Sequence, residues 1–333
     1  MPRRGAADLP LVVTYEDRKS AIPGIELLAR SLAYHAPKMR MRVYTPLEEV
    51  SDLAAELDNL EVSLTAELVG RGWDVKPTVM LWGLADSASV LWFDTDVVVA
   101  GDLTGALEGL APDSIVVGQE FRGIKAEGGR LRAEGWGFEV GNLVPHHVNS
   151  GSVRVTSTHR ALLQAWRAAL ETQAYRTAQT QPLDQRAIHL LGDQDVLWAL
   201  IASKQYSHLQ VQYFRAGKEM IVHCGANGYH ALERLGHVFG AGRVAFIHML
   251  GGYKPWSFDE VPDRQTERQK YLQMIFFELS LFHAVSVRYA AAMGNPRWLT
   301  RRTRMARVFN MLAFGNVALR GLPLALMAWA RER

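Results

Sequence analysis

Apolar and polar positions follow one another in short blocks along the first half of the chain. Leu9-Pro10-Leu11-Val12-Val13-Thr14-Tyr15 is an apolar, β-branched run and reads as a strand. Glu16-Asp17-Arg18-Lys19 is a polar loop, residues 25–32 have helical spacing, and Met41-Arg42-Val43-Tyr44 is a second strand. This β-α-β opening predicts an α/β sheet that carries its ligands beyond the carboxyl ends of its strands. A helix over residues 78–84 precedes the apolar run 90–99, and residues 114–118 predict a further strand. Residues 148–155 read as a strand beginning at a tight turn, Asn149-Ser150-Gly151, and a helix follows through 161–166. Residues 123–142, rich in Gly, Arg and Glu, read as a mobile excursion. Gly192-Asp193-Gln194-Asp195 leads into Val196-Leu197-Trp198-Ala199-Leu200-Ile201, which places acids and an amide at a helix start, where side-chain oxygens cap free N–H groups. Residues 244–248 are one more strand, ending at His248. Beyond Pro262 the pattern is helical, with an apolar stripe from 271 to 289 and no internal repeat.

The chemistry starts in Val90-Leu91-Trp92-Phe93-Asp94-Thr95-Asp96-Val97-Val98-Val99. In one extended strand Asp94 and Asp96 face the same way and can share a cation. A strand buried on both faces does not tolerate two unpaired carboxylates, so a positive partner is required. A divalent ion bridging the phosphates of a nucleotide is the most economical partner. The plainer alternative is a pair of surface acids capping the turn before Gly101-Asp102.

Composition narrows the classes. The chain has 333 residues, 48% of them hydrophobic, enough for a sizeable core. A single cysteine, Cys224, excludes an intrachain disulfide, and a reducing compartment is the simpler setting. Met1-Pro2-Arg3-Arg4 leads into no apolar segment of signal-peptide length. The net charge of +3 hides an asymmetry: residues 297–333 hold eight arginines, no lysine and one acid, so the remainder is net acidic. Basicity confined to the tail points to an anionic surface met by the C-terminus, and against a nucleic-acid groove across the fold.

Asp94/Asp96, Asn149, Asp193/Gln194 and His248-Met249-Leu250-Gly251-Gly252-Tyr253-Lys254-Pro255-Trp256 all fall where such a sheet places ligands. The last run has the form His-x-x-Gly-x-x-Lys-Pro-Trp. With the order and spacing of the other pieces, it resembles glycosyltransferase family 8, the retaining sugar transferases, over roughly residues 8–258. The resemblance implies a GT-A-like Rossmann-type catalytic domain with a mixed central sheet (1–262), and a helical C-terminal extension (263–333). It implies that Asp94, Asp96 and His248 bind Mn²⁺ or Mg²⁺, the imidazole favouring Mn²⁺. Gly251 and Lys254 would meet the diphosphate of a nucleotide sugar, with UDP the expected carrier, while Pro255 and Trp256 brace that loop. Asn149, Ser150, Gly151 and Asp193 would contact the transferred hexose, and Gln194 would lie nearest the anomeric carbon. The family's opening Asp-Asp/Glu-x-Tyr-like loop is replaced here by Thr14-Tyr15-Glu16-Asp17-Arg18-Lys19, leaving Thr14, Tyr15 and Glu16 as the nucleotide-binding candidates. Lys76 is the nearest equivalent of the family's arginine on the helix before the metal strand. The acceptor would be a saccharide or glycolipid.

Other residues attract simpler readings. His146-His147, being adjacent, face apart and suit a solvated turn. Cys224 beside His223 is a partly buried thiol, and the glycine-rich residues 225–242 lack the strand-turn-helix context of a dinucleotide site. In the tail, residues 297–307 interleave arginine with apolar side chains. Residues 308–330 are apolar apart from Asn310, Asn316 and Arg320, and Arg320 and Pro323 interrupt the run. This composition favours a helix lying on an anionic membrane surface over a buried helix pair or a true span. The expected location is cytoplasmic, peripherally attached to the inner face of the membrane. A nucleotidyltransferase that makes nucleotide sugars and a non-catalytic nucleotide-sugar-binding protein are the competing classes. The first should carry a glycine-rich phosphate loop after its first strand, and 14–19 contains no glycine.

Overall fold

The computed structural model describes residues 9–120, 127–224, 229–240 and 244–331. The N-terminal Met1-Pro2-Arg3-Arg4, part of the supposed excursion (123–126), part of the glycine-rich segment (225–228 and 241–243) and the Cys224 side chain lie outside the described residues. In chain order the elements are β1 (Leu11–Tyr15), α1 (Ile22–His35), β2 (Met41–Thr45), α2 (Val50–Glu56), β3 (Leu60–Leu64), α3 (Lys76–Asp86), β4 (Ser89–Phe93), β5 (Val97–Val99), α4 (Leu103–Glu108), β6 (Ile115–Gln119), α5 (Glu127–Gly135), β7 (Val148–Thr156), α6 (Arg160–Leu170), α7 (Gln173–Gln179), α8 (Asp193–Ala202), β8 (Val211–Phe214), β9 (Met220–Cys224), α9 (Ala231–Val238), β10 (Phe246–Leu250), α10 (Arg268–Glu278), α11 (Leu281–Ser286), α12 (Arg297–Thr300), α13 (Arg304–Leu312) and α14 (Leu322–Arg331). They divide into two compact units. The first is drawn from Met1–Asp17, Lys38–Asp94 and Leu107–Arg215, the second from Arg18–Pro37, Thr95–Ala106 and Ala216–Arg333.

The first unit holds a seven-stranded mixed sheet in the order β3-β2-β1-β4-β7-β6-β8, the α/β architecture that the opening pattern predicts. β3, β2, β1 and β4 run parallel, β7 is antiparallel to β4 and β6, and β8 is parallel to β6. Parallel strands covered on both faces are apolar throughout, and Val12, Val13, Val90, Leu91 and Phe93 are fully buried. α3 lies against β1 and β4, and Gly83 lets it come close: a Cβ there would stand 3.0 Å from Val13 and Val90. α6 buries Leu162, Leu163, Trp166, Ala169 and Leu170 along one face, and all of α8 is buried except Gln194.

Three expectations are corrected here. Residues 90–99 are two strands in two different sheets. The Asp94 N–H donates to Gly151 O (3.0 Å) as the β4–β7 ladder ends, and Val97–Val99 pairs antiparallel with β10, Val97 opposite His248. Asp94 and Asp96 therefore flank a turn, and strand alternation does not govern where they point. Asn149-Ser150-Gly151 is no tight turn but lies inside β7, where the register against β6 shifts between Val117 and Gly118; Val117 faces Val153, yet Gly118 faces Asn149. Such a bulge re-aims side chains without ending the strand. Residues 127–135 of the supposed excursion form helix α5, because Gly128 and Gly129 admit the Trp198 ring of α8 to within 2.5–2.8 Å of where a Cβ would be.

The second unit contains the three-stranded sheet β5-β10-β9. Ser31 of α1 accepts from the Val99 N–H at 3.0 Å and so fastens that helix to the sheet. Phe258, Met274, Ile275, Phe277, Phe282, Trp298 and Leu299 form its apolar core together with Ile247 and Val98. The tail belongs to this core. Glu278, 1% exposed, accepts from Thr303 N and Oγ1 at 2.9 and 2.7 Å, and Arg301 donates to the carbonyls of Phe258 and Asp259. Residues 308–330 are not one helix, since α13 ends at Leu312 and Phe314 and Gly315 turn the chain with φ of 49° and 76°. No helix among the described residues is long and apolar enough to cross a membrane.

Candidate functional site

In the first unit four sequence candidates meet. Lys76, first residue of α3 and only 5% exposed in its side chain, donates to Ser150 Oγ at 2.8 Å. Its Nζ also stands 3.1 Å from Asp193 Oδ2 and 3.3 Å from Asp94 Oδ1. Ser150 donates to Asp193 Oδ2 at 2.7 Å, the Trp92 indole donates to Asp94 Oδ1 at 2.7 Å, and the Trp166 indole donates to the Asp193 carbonyl at 2.9 Å. Burial disfavours the Lys76 charge, but Asp193 and Asp94 outweigh it and raise the pKa, so the ammonium persists. Burial pushes the Asp193 carboxyl upward against the pull of Lys76. The β7 bulge turns Ser150 toward α3 and α8, and the α8 N-terminus presents Asp193 to meet it.

Gln194 is half-buried between the buried Asp193 and Asp195. Gly192 is the N-cap of α8 and contributes no side-chain cap. Asn149 is held at both ends: its Nδ2 donates to Glu120 Oε2 (2.6 Å), and its Oδ1 accepts from the Gly151 N–H (2.9 Å). Thr14, Tyr15 and Glu16 close β1. The buried Tyr15 phenol, its pKa raised by burial and then by Asp17 and Glu16, has no hydrogen-bond partner among the described residues, and neither has the Thr14 hydroxyl. Glu16 is buried, accepting from the Asp17 N–H at 3.2 Å through its carboxylate and from Thr45 Oγ1 at 2.6 Å through its carbonyl.

In the second unit Asp96, His248 and Lys254 meet. Asp96 is buried, with Oδ1 3.2 Å from His248 Nε2 and Oδ2 accepting from Lys254 Nζ at 2.5 Å. Burial would raise the Asp96 pKa, but the charges of Lys254 and His248, with their hydrogen bonds, hold it well below the usual carboxylate range. The Met249 N–H donates to the Asp96 carbonyl at 3.0 Å, tying this turn to β10. Gly251 has φ of 132°, a conformation that suits glycine, and faces open space. Trp256 packs over Gly24 of α1, where a Cβ would lie 2.5 Å from the indole.

Sequence reasoning passed over several neighbours. Tyr175 donates to Asp74 Oδ1 at 2.8 Å, and Asp74 is raised to about 6, chiefly by burial. Arg132 donates to Asp195 Oδ1 at 2.7 Å and stacks 4.3 Å over Trp198, while burial lifts Asp195 to about 6. His147 is not in a solvated turn. It is buried against Trp198 with ring centroids 4.4 Å apart, and burial, then Arg132, lowers it to about 3. Only Trp92 carried a legible signal, an indole N–H two residues before Asp94 at the end of β4.

No protein-family model and no curated protein matches the chain. Among solved structures it is similar to the galactosyltransferase LgtC in complex with donor and acceptor sugar analogues, with 16% identity, 89% of this chain and 99% of that chain covered, and a TM-score of 0.48. It is also similar to an active-site mutant of LgtC (16% identity, 78% and 94% covered, TM-score 0.46). The glycosyltransferase GlyE of Streptococcus pneumoniae TIGR4 gives 15% identity, 85% and 64% covered, and a TM-score of 0.43. Likeness at these scores leaves the function to be argued from the residues.

Proposed function

We propose that the chain is a metal-dependent, retaining glycosyltransferase of GT-A type, related to family 8, that moves a hexose from a UDP-linked sugar to a saccharide or lipid-linked acceptor. The observation that supports this best is the convergence of distant motif pieces on one Asp-x-Asp segment. Lys76, Ser150 and Asp193 gather at Asp94, and His248 and Lys254 gather at Asp96. Two peptide units separate the acids, so their Cα atoms lie within about 7 Å whatever else moves.

Asp94, Asp96 and His248 would supply two carboxylates and an imidazole, a donor chemistry that suits Mn²⁺ or Mg²⁺, and more nearly Mn²⁺. When bound, such an ion supplies electrostatic stabilisation of a departing diphosphate. The protein's own groups do the rest. Lys254, partly exposed, offers a cation to the diphosphate, and Gly251 leaves its backbone open to it. Lys76 holds Asp193 and Ser150 in fixed orientation, so that Asp193 accepts from a hydroxyl of the hexose. Gln194, a poor nucleophile, faces the anomeric centre as positive charge develops there. The acceptor hydroxyl attacks from the face the diphosphate leaves, and a leaving phosphate oxygen takes its proton. Thr14, Tyr15 and Glu16 line the end of β1 for the nucleoside.

The test is incubation of the full chain with a panel of UDP-hexoses and Mn²⁺, followed by mass spectrometry for transfer or slow hydrolysis and by NMR for the product anomer. Mn²⁺-dependent turnover with retained configuration is expected, and Gln194→Ala should lower turnover more than donor affinity. Full activity in EDTA defeats the metal assignment, an inverted anomer defeats retention, and binding without turnover leaves a non-catalytic binder.

Peripheral attachment to an anionic membrane is part of the same proposal, supported by α13. That helix exposes Met305, Val308, Met311 and Leu312 beside Arg304 and Arg307, and Phe314 just beyond it is 95% exposed. The intact chain should float with phosphatidylglycerol vesicles and release as salt rises. Indifference to such vesicles at low salt removes this part.

A further inference from the structure

Of the tryptophans whose side chains are described, Trp73 alone is exposed, at 57%. It stands on a short 3₁₀ turn, Gly72–Val75, in the first unit. Gly70 and Gly72 before it take φ of 78° and 58°, left-handed conformations that suit glycine and turn the chain sharply. The turn is fastened on both sides. The Gly70 N–H donates to Asp17 Oδ2 at 2.7 Å, and Arg71 donates to Glu171 Oε1 at 3.0 Å. The buried Tyr175 of α7 donates to Asp74 Oδ1 at 2.8 Å, and its hydroxyl in turn receives the Trp73 indole N–H. Asp74 is half-buried, and its Oδ2 accepts no hydrogen bond among the described residues.

An indole left in water costs about 25 cal/mol for each Å² of its apolar area. This one is held through its N–H, so little rotamer freedom remains to be lost when something covers its face. The next residue supplies a carboxylate with one oxygen to spare. A pyranose has an apolar C–H face that stacks on indole and a rim of hydroxyls that donate to a carboxylate. A nucleobase would also stack, but its edge carries acceptors as well as donors, and an ionised Asp74 can only accept. Burial is the main cause that raises Asp74 to about 6, so at neutral pH it is still an anion and repels a second negative charge. We infer that Trp73 and Asp74 form a saccharide-binding platform for an uncharged pyranose, its ring on the indole and its hydroxyls on the carboxylate. Every residue of the platform belongs to one unit, and Asp193 and Lys76 are near enough for their charges to act on Asp74. The inference goes beyond the transferase reading and does not depend on it.

The experiment follows the indole N–H signals of the full, ¹⁵N-labelled chain by NMR at about pH 7.5. The Trp73 signal is assigned by its absence from the spectrum of Trp73→Phe. The probes are methyl glucoside, methyl glucuronide and uridine. The glucoside should shift the Trp73 signal saturably, and the glucuronide should bind there about tenfold more weakly, because its carboxylate meets that of Asp74. Asp74→Asn, which keeps an acceptor for Tyr175 and removes the charge, should narrow that difference to about twofold. A Trp73 signal unmoved by glucoside at about 50 mM overturns the inference. So does equal binding of the glucuronide by the wild type, undiminished discrimination in Asp74→Asn, or a larger shift with uridine than with the glucoside. Saturable glucoside binding at Trp73 by a chain that turns over no nucleotide sugar would sink the transferase reading and leave the platform standing.

Discussion

Two buried charge clusters serve the same short segment in opposite ways. In the first unit one ammonium, Lys76, stands among two carboxylates, a serine hydroxyl and an indole, and every member has a fixed partner. In the second, one carboxylate, Asp96, stands among a lysine and a histidine. Lys76 is sealed at 5% side-chain exposure, whereas Lys254 reaches water at 29%. A sealed, fully paired network fixes geometry, and a cation at the edge of water can change partner at little cost. On the proposed reading, the first cluster would orient a sugar, and the second would exchange a lysine between Asp96 and an arriving phosphate.

The comparison breaks most visibly if the two lysines prove equivalent. Lys76→Met leaves Asp193 buried beside Asp94 without a counter-charge and should cost about 3–5 kcal/mol of stability. Lys254→Met should cost about 1 kcal/mol, because water takes over at the exposed edge, and should appear mainly as weaker donor binding. Urea unfolding of both variants reads the contrast, and equal losses would show that the second cluster is as structural as the first.

Acid should separate the units by a smaller margin. Burial is the main cause that lowers His147 to about 3 and His159 to about 4 in the first unit, and His223 and His283 to about 3 in the second. The unfolded chain binds protons at these sites from about pH 6.5 downward while the folded chain does not, so their contribution is intact above 6.5 and is lost as pH falls toward 3. In the first unit Asp74 and Asp195, raised to about 6, oppose this, because there the folded state takes up protons before the unfolded one. In the second unit the lowered Asp96 adds to the loss instead, but only as pH falls below the ordinary carboxylate value of 3.8, so the contrast above that pH comes from Asp74 and Asp195. Amide exchange compared at pH 7 and pH 4.5 should show protection falling in β10 more than in β7. Equal protection loss would mean that the two units open together.

Much of the candidate site was legible because it is written in local chemistry. The apolar runs of β1 and β10, the helical spacing of α3, and the acids opening α8 all follow from backbone periodicity, a property of a few neighbouring residues. Lys76, Asp94, Asp96, Asp193, His248 and Lys254 could be singled out because residue type and spacing bound what each can do.

What the tertiary structure alone decided is partner choice. The run 90–99 looks like one strand, yet it splits because Phe93 ends a ladder with β7 while Val97 starts another with β10, more than a hundred residues further on. Asn149 reads as part of a tight turn but lies inside β7 with its amide held by Glu120, and Arg132, in a segment read as irregular, became the buried partner of Asp195. The arginine-rich tail, which by composition points outward, also supplies Trp298 and Leu299 to a core. Periodicity is set within a turn or two of chain, whereas pairing across tens to hundreds of residues depends on which surfaces the whole fold leaves to be covered. No local pattern carries that information.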